Sequence, residues 1–249
     1  MSSAALETRA LCKRFGALTV AEDIHFRLDP GARHALIGPN GAGKTTFINM
    51  LTGRLAPSSG SILLGGEDVT RLSQRERVRR GLGRTFQINT LFRSLSALDN
   101  VALAVAERLK VAPRLFRSAA SQRKVVEESL AVLEQLALAD DAHQRVADLP
   151  YGKQRLVEIA IALGMQPRVL LLDEPAAGVP SMETHRILDV LDKLPSEIAI
   201  LIIEHDMDLV FRFARRITVL TQGAVLTEGT PAEISADQRV KQVYLGEGS

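Results

Sequence analysis

A glycine-rich stretch early in the chain has the residue types and spacing needed to hold a chain of phosphates. It follows the pattern G-x-x-x-x-G-K-T, and its residues are Gly38, Pro39, Asn40, Gly41, Ala42, Gly43, Lys44 and Thr45, with Thr46 next. Glycines let backbone N–H groups turn toward phosphate oxygens, and a helix starting here points its N-terminus at the same anion. Lys44 is placed to reach the β- and γ-phosphates, and the Thr45 hydroxyl is suited to Mg²⁺. The stretch predicts a nucleotide-phosphate site.

The segments on either side of this loop are those that the motif requires. Residues 34–37 are a short run that suits a buried strand, and residues 46–51 suit a helix that stops near Gly53. The alternative is a chance glycine-rich turn. The order of strand, loop and helix, together with the lysine–threonine pair, disfavours that alternative.

Two adjacent acids follow a second buried strand. The apolar run 169–172 leads directly into Asp173 and Glu174. Downstream of a phosphate loop, Asp173 is predicted to hold Mg²⁺ through water, and Glu174 to polarise the attacking water as general base. A solvated turn is the alternative for this acid pair, but the buried strand just before it favours the catalytic role.

A histidine ends a third apolar run in the same manner. His205 follows residues 198–203, and parallel strands in such folds bring their ends, and hence ligands, to one edge. We therefore expect Gly38, Asp173 and His205 to converge. His205 could then hydrogen-bond the γ-phosphate or orient the water, although a lone histidine is more often structural.

The identity of the nucleotide base is indicated mainly by the absence of a guanine-recognition motif. Small GTPases recognise guanine with Asn-Lys-x-Asp, and none of Asn40, Asn49, Asn89 and Asn100 is followed by lysine. This leaves ATP as the expected nucleotide. Phe15 could stack on adenine, and an ordinary aromatic residue of a strand is an almost equally good interpretation of it.

Composition excludes several classes of protein. The chain has 249 residues, 46% of them hydrophobic, and its net charge of +2 is too small to favour nucleic acid as a partner. Its single cysteine, Cys12, excludes an intramolecular disulfide and fits a reducing compartment. Residues 1–9 lack the apolar core of a secretory signal, and the longest apolar runs fall short of the roughly twenty residues that span a bilayer. A role in transport would need a separate membrane partner.

The order of elements predicts an α/β fold, a P-loop ATPase core with a mainly parallel central sheet. Residues 20–28 include a period-2 set that indicates an antiparallel β part near the N-terminus, and residues 96–138 are helical in pattern. The helical segment is predicted to form a subdomain. Capping boxes are expected at Ser73, Ser96 and Thr230, and a simple cap at Ser181.

Taken together, these motifs resemble the ATPase subunit of ABC transporters over nearly the whole chain. Residues 38–45 match Walker A, and residues 169–173 with Glu174 match Walker B and the catalytic glutamate. The resemblance implies that Gln87 is the Q-loop glutamine, which touches Mg²⁺ and the attacking water. It also implies that His205 is the switch histidine and that Phe15 stands at the adenine-stacking position.

Residues 149–154 stand where the family signature L-S-G-G-Q is found. In the family two subunits pair head to tail and each signature closes over the partner's ATP, which implies nucleotide contacts for Tyr151, Gly152 and Lys153. The sequence departs from the pattern here, because Pro150 replaces the serine, Tyr151 the first glycine and Lys153 the glutamine. Lys153 could add positive charge. Residues 178–180 also lack the aspartate expected after Walker B.

Finer features resemble the branched-chain amino acid importers, and in particular the first of the two ATPases of those importers. They lie in residues 83–87, 151–152, 174–178, 203–207 and 243–247, and the stretch 106–122 is similar to a longer helical insertion of this group. The resemblance implies one domain over 1–249. Its RecA-like core would cover about 1–88 and 160–230, its helical subdomain about 89–159 and its C-terminal helical tail about 231–249.

The implied function is an ATP-hydrolysing motor for import, peripheral at the cytoplasmic face of the inner membrane. Its implied partners are transmembrane permease subunits, a second ATPase or itself, and indirectly a substrate-binding protein, with no nucleic acid. Importers of urea, amides or aromatic acids and the lipopolysaccharide export ATPase are close alternatives. A soluble ABC-type ATPase and a module that holds ATP without hydrolysis are further ones. Pro150 and Pro180 keep the last open, and Glu174 and His205 argue against it.

Overall fold

The computed structural model describes residues 3–85, 91–111 and 119–245. Its strands are β1 (Leu6–Phe15), β2 (Leu18–Leu28), β3 (Arg33–Ile37), β4 (Ser59–Leu64), β5 (Glu67–Asp68), β6 (Leu82–Arg84), β7 (Val169–Asp173), β8 (Ala199–Ile203), β9 (Arg216–Thr221) and β10 (Ala224–Gly229). Its helices are α1 (Lys44–Thr52), α2 (Gln74–Arg79), α3 (Ala97–Arg108), α4 (Ala119–Gln135), α5 (Tyr151–Gly164), α6 (Ser181–Asp192), α7 (Met207–Phe213), α8 (Pro231–Ala236) and α9 (Gln238–Leu245).

The chain divides into two compact units, which are described separately. Unit 1 comprises Met1–Leu82, Arg168–Glu174 and Ser196–Ser249, and unit 2 comprises Gly83–Pro167 and Pro175–Pro195. The division into core, helical subdomain and C-terminal tail stays a prediction.

Two sheets organise the β structure. The larger has the strand order β10-β9-β3-β8-β7-β6, in which β3 pairs in parallel with both β8 and β9, and β7 pairs in parallel with β8. The smaller has the order β2-β1-β4-β5, and all its pairs are antiparallel. These two sheets confirm the predicted fold class, a mainly parallel central sheet with an antiparallel part near the N-terminus.

Strand β1 was absent from the sequence prediction, and its irregular pairing explains why. Its register against β2 shifts between Thr8 and Leu11, and Ala10 adopts a left-handed backbone with φ 45°. A bulge of this kind changes the phase of the alternation, so the buried residues no longer follow a period of two. The residues buried on both sides of the bulge are Leu6, Thr8 and Leu11.

The core of unit 1 packs the phosphate-loop helix against the sheets. Phe47 and Ile48 of α1 are buried in this core, and Gly53 ends the helix in a left-handed conformation, as predicted. The buried Arg77 donates hydrogen bonds to the carbonyls of Met50 (2.6 Å) and Leu51 (2.7 Å). The guanidinium bonds carbonyls that have no partner within the helix, and its positive charge interacts favourably with the helix dipole. Arg77 therefore stabilises the C-terminal end of α1, the end remote from the phosphate loop.

Unit 2 is built from α3, α4, α5 and α6. The predicted capping box joins Ser96 and Asp99 at the start of α3, and Arg108 pairs with Glu128 of α4 and donates to the Gly164 carbonyl of α5. Of the stretch 96–138 predicted as helical, residues 112–118 lie outside the described residues. The prediction that Ser181 caps α6 was wrong, since Pro180 stands at the cap position and Ser181 is the first helical residue.

Candidate functional site

The register of the parallel strands determines which residues meet at the edge of the large sheet. Leu36 of β3 lies opposite Ile203 of β8, and Ile203 lies opposite Asp173 of β7. The three strands therefore end side by side. The chain leaves these ends through the phosphate loop after β3, through Glu174 after β7 and through His205 after β8.

Glu174 and His205 face each other at this edge. Glu174 Oε1 lies 3.8 Å from His205 Nδ1, and the Glu174 N–H donates to the Ile203 carbonyl at 2.9 Å. Glu174 has a φ of 47°, a left-handed conformation that is costly for a residue with a side chain. Such strain is retained where the surroundings fix it, and here it sets the direction of the carboxylate. The side chain of Glu174 is 33% exposed and that of His205 71%, so both are accessible to a ligand.

The two acids on either side of His205 in the chain, Glu204 and Asp206, make different contacts. Glu204 is buried, and its Oε2 accepts the N–H of His205 at 3.3 Å and lies 3.9 Å from Nδ1. Asp206 caps α7 by accepting the N–H groups of Asp208 and Leu209 at 3.0 Å and 3.3 Å. Neither of them was assigned a role from the sequence. The burial of the Glu204 carboxylate was not predicted. Glu204 lies just after β8, where the alternation of side chains along a strand no longer indicates which of them point inward.

The phosphate loop leads into a helix end without a side-chain cap. Gly43 is the N-cap of α1 with φ 98°, no side chain caps it, and no acid lies in the first turn. The N-terminal N–H groups of a helix lack carbonyl partners within it, and they attract anions. Lys44 Nζ donates to the carbonyls of Gly38 (2.5 Å) and Pro39 (2.9 Å), so the ammonium lies across the mouth of the loop.

Neighbouring backbone determines the shape of this loop. A Cβ at Gly38, whose φ is 156°, would lie 2.2 Å from the Leu220 carbonyl oxygen, and one at Gly43 would lie 2.8 Å from that of Val20. The Gly223 N–H donates to the Ala42 carbonyl at 3.0 Å. The loop is thus held between β2 and the β9–β10 turn. Nothing in the local sequence of that turn, Gln222 and Gly223, indicates that it supports the loop.

The remaining predicted residues of unit 1 supply oxygen atoms and an aromatic ring. Thr45 is exposed and follows β3 through the phosphate loop, and Asp173 is half-buried and is the last residue of β7, which β8 separates from β3. This donor set suits Mg²⁺, which takes few protein ligands beside phosphate oxygens. Phe15 is 51% exposed, and its ring carries Lys13 Nζ at 4.9 Å from the centroid. Gln87 lies outside the described residues.

The predicted signature residues lie in unit 2, at the N-terminus of α5. Pro150 is the N-cap and offers no side-chain hydrogen bond. The Gly152 N–H donates to Glu183 Oε2 at 3.1 Å, and Lys153 Nζ is held by both carboxylate oxygens of Asp141 at 2.7 and 2.8 Å. Tyr151 is 45% exposed and has the Arg155 guanidinium carbon 5.3 Å from its ring centroid. The positive charge expected of Lys153 is therefore paired.

Comparison with protein families places the chain clearly. The model of the family described as ABC transporter matches residues 21–177, and that of the branched-chain amino acid ATP-binding cassette transporter matches residues 224–249. Within the described ranges no helix is both long and apolar enough to cross a membrane.

Similar proteins agree over the full length. The chain is 39% identical to the high-affinity branched-chain amino acid transport ATP-binding protein BraF of Pseudomonas aeruginosa, with 99% of this chain and 100% of the relative covered. It is 38% identical to the lipopolysaccharide export system ATP-binding protein LptB of Acidithiobacillus ferridurans, covering 97% of each.

A solved structure shows the same architecture. The ADP conformation of MJ1267, an ATP-binding cassette of an ABC transporter, superposes with a TM-score of 0.85 at 28% identity and covers 99% of both chains. The cassette architecture explains why the phosphate loop, Glu174 and His205 follow adjacent strand ends. This chain belongs to the ABC transporter family as a nucleotide-binding ATPase subunit, in the group of branched-chain amino acid ATP-binding cassettes.

Proposed function

We propose that the edge of the large sheet in unit 1 binds ATP with Mg²⁺ and hydrolyses it, with each residue in the role that its position supports. The backbone of residues 38–43 and the α1 N-terminus would cradle the phosphates, and Lys44 Nζ would turn from its two carbonyl partners to the β- and γ-phosphates. Thr45 and Asp173 would hold Mg²⁺, which supplies charge neutralisation to the leaving phosphates. Asn40, Gly41, Ala42 and Thr46 complete the cradle, and Gln87 would contact the metal and the water.

Glu174 beside His205 is the observation that carries this proposal. The left-handed backbone of Glu174 directs its carboxylate to the strand-end edge, where His205 Nδ1 lies 3.8 Å away. Glu174 would accept a proton from the attacking water as the water oxygen bonds to the γ-phosphorus. The bond from that phosphorus to the β–γ bridging oxygen breaks, and ADP leaves with phosphate. His205 would hold the γ-phosphate in line with the water.

The rest of the predicted site would be completed by pairing. Phe15, half-exposed at the end of β1, would stack on adenine. Tyr151, Gly152 and Lys153 would face the ATP of a second cassette in a head-to-tail dimer, either with another copy or with a homologous ATPase. Closing and opening of that dimer would drive transport. Residues of about 1–88 and 160–230 would act as the nucleotide core, 89–159 as the transmitting helical subdomain and 231–249 as a tail.

The proposed setting is the cytoplasmic face of the inner membrane, on transmembrane permease subunits that receive cargo from a substrate-binding protein. The proposed cargo is a branched-chain or other hydrophobic amino acid, which is supported by the name of the relative that is 39% identical. Lipopolysaccharide export is a second candidate, since a relative of that name is 38% identical over nearly the same length. Importers of urea, amides or aromatic acids remain within the proposal.

Replacing the carboxylate of Glu174 by an amide tests the catalytic assignment. Glu174→Gln keeps the side-chain size and removes the base, so turnover should fall by about a hundredfold or more while ATP affinity is preserved. Glu197→Gln makes the same change at an exposed position of unit 1 and should leave turnover unchanged. Full turnover in the Glu174 variant would refute the assignment. For the cargo, the chain should be affinity-purified from solubilised membranes, and uptake of labelled leucine should be measured in vesicles that contain the recovered complex.

A further inference from the structure

The N-terminus of α5 is already occupied by a carboxylate of the same chain. Glu183, in the first turn of α6, accepts the Gly152 N–H at 3.1 Å. The end of α5 has no side-chain cap of its own and no acid in its first turn. Glu183 is therefore the group that satisfies a helix-end donor and complements the positive end of the helix dipole.

The closeness of this contact explains the glycine at position 152. A Cβ built there would lie 2.3 Å from Glu183 Oε2 and 3.3 Å from the Glu183 Cβ. Any side chain at this position would push the carboxylate away from the N–H. The absence of a side chain at Gly152 thus lets the Glu183 carboxylate reach the N–H.

Two more contacts join the same helix end to the segment before α6. The Tyr151 side chain lies against Gly178, where a Cβ would meet the ring carbon Cε1 at 3.4 Å and the hydroxyl oxygen at 3.5 Å, and Arg155 donates to the Ala177 carbonyl at 3.4 Å. This segment begins at Pro175, directly after Glu174. The α5 terminus and the chain that leads away from the proposed general base are therefore held together within unit 2.

A groove next to Glu183 has room for its carboxylate in a second side-chain conformation. It has a volume of about 380 Å³, lies between α5 and α6, and its charged lining residues are Lys153, Glu183, Arg186, Asp189 and Lys193. Arg186 is three residues along α6 from Glu183, the spacing at which helical side chains meet. A rotated Glu183 would find the guanidinium there.

We propose that Glu183 is a built-in anion that closes the α5 N-terminus and must be displaced by the γ-phosphate of the partner's ATP. This inference rests on the proposed function for the pairing step alone. Two anions cannot share one N–H, because like charges at contact distance repel. Phosphate binding would thus require Glu183 to rotate toward Arg186. Because Glu183 is negatively charged, closing the dimer would require a higher ATP concentration than it would with an uncharged group at the α5 N-terminus.

The first test measures the contact without any pairing. In the ¹⁵N-labelled full-length chain, the Gly152 amide resonance is followed while inorganic phosphate is added. Glu183→Gln keeps an oxygen that can accept the Gly152 N–H but removes the charge, so phosphate should shift this amide at about tenfold lower concentration than in the wild type. Asp192→Asn removes one charge from the exposed end of α6 and should behave as the wild type.

The second test measures the consequence for turnover. The half-saturating ATP concentration of the chain, purified with whatever second ATPase accompanies it, should fall about tenfold in Glu183→Gln and stay constant in Asp192→Asn. Thermal unfolding of each variant checks that it is folded.

Each outcome decides one of the two claims. Equal phosphate titrations of Gly152 in the wild type and Glu183→Gln, or an unchanged or higher half-saturating ATP concentration, would overturn the role of Glu183. Suppose instead that no variant hydrolyses ATP, but phosphate shifts the Gly152 amide of Glu183→Gln at a lower concentration than in the wild type. The proposed function would then be refuted, and Glu183 would still be the anion that closes the α5 N-terminus.

Discussion

Two helix N-termini in this chain have the same local chemistry and opposite surroundings. The α1 terminus follows Gly43, has no capping side chain and no acid in its first turn. The α5 terminus follows Pro150, also without a capping side chain or acid in its first turn, but Glu183 of another helix supplies a carboxylate to its Gly152 N–H. The α1 N-terminus is therefore the one suited to an anionic ligand, whereas the α5 N-terminus already binds the Glu183 carboxylate of the same chain.

The lysines at the two ends differ in the same way. Lys44 Nζ is bound by two neutral carbonyls, whereas Lys153 Nζ is bound by both oxygens of the Asp141 carboxylate. The carbonyls of Gly38 and Pro39 carry no charge, whereas the Asp141 carboxylate cancels the charge of Lys153. Whether a helix end with a nearby lysine can bind an anion therefore depends on its neighbours more than on its own residues.

The largest expected difference lies between the two lysines. Lys44→Ala should weaken ATP binding by about a thousandfold, because it removes the cation that would contact the β- and γ-phosphates. Lys153→Ala should change ATP affinity of the isolated chain by less than about threefold, since its charge is already paired with Asp141. Isothermal titration calorimetry with ATP and Mg²⁺ compares them. Similar losses in both variants would break the contrast between the two helix ends.

Acid should affect the β structure of unit 1 through His34 of β3. Burial lowers the pKa of His34 to about 4, and its Nε2 bonds to Thr218 Oγ1 at 2.8 Å, which in turn donates to Glu228 at 3.0 Å. Because the unfolded chain takes up the proton near pH 6.5 and the folded chain does not, stability is complete above pH 6.5 and falls as the pH drops toward 4. The loss should reach about 3 kcal/mol.

Urea unfolding at several pH values measures this loss. His34→Gln should remove most of the pH dependence between 4 and 6.5, while His25→Gln, at an exposed position of β2, should keep it. A wild-type stability that stays constant over this range would contradict the role of His34.

Glycine replacements sharpen the comparison next. Gly38→Ala should destabilise the chain by about 2 kcal/mol, because its Cβ would lie 2.2 Å from the backbone oxygen of Leu220, which cannot move alone. Gly152→Ala should cost about 1 kcal/mol or less, since the atom that its Cβ meets first is the end of the flexible Glu183 side chain. Denaturant midpoints of both variants test the order, and the reverse order would mean that the α5 terminus is the more rigid of the two.

The smallest expected effect concerns the pair that neutralises Lys153. Asp141→Asn should lower stability by about 0.5–1 kcal/mol, because the Lys153 side chain is 42% exposed and water screens the pair. It should also raise the affinity of unit 2 for anions slightly. Thermal unfolding and phosphate titration of this variant measure both effects, with Asp140→Asn next to it as the exposed control.

Much of the fold followed from local patterns in the sequence. The strands predicted at 169–172 and 198–203 correspond to β7 and β8, and the helix stop at Gly53 and the capping boxes at Ser73, Ser96 and Thr230 are confirmed. These features depend on residues close together in the chain. Strand β1 was missed because a bulge interrupts its period, and the start of α6 was misplaced by one residue because a proline holds the cap position.

The sequence by itself determined which residues form the proposed nucleotide site and the chemistry proposed for them. Its loop, its acids after β7 and its histidine after β8 are recognisable because each motif is contiguous and each follows an apolar run. Parallel pairing then brings such strand ends to one edge by general rules of sheet geometry. For this reason Gly38, Asp173 and His205 could be expected to lie near one edge of the sheet.

Only the tertiary structure decided which charges and N–H groups are still available. The pairing of Lys153 with Asp141, the closure of Gly152 by Glu183 and the support of Gly38 by Leu220 join residues that lie 12, 31 and 182 positions apart. No local pattern encodes such contacts, because they depend on how whole helices and strands pack. The physical reason is that a hydrogen bond or ion pair requires contact within a few ångströms, and contact at that range between distant residues is a property of the fold.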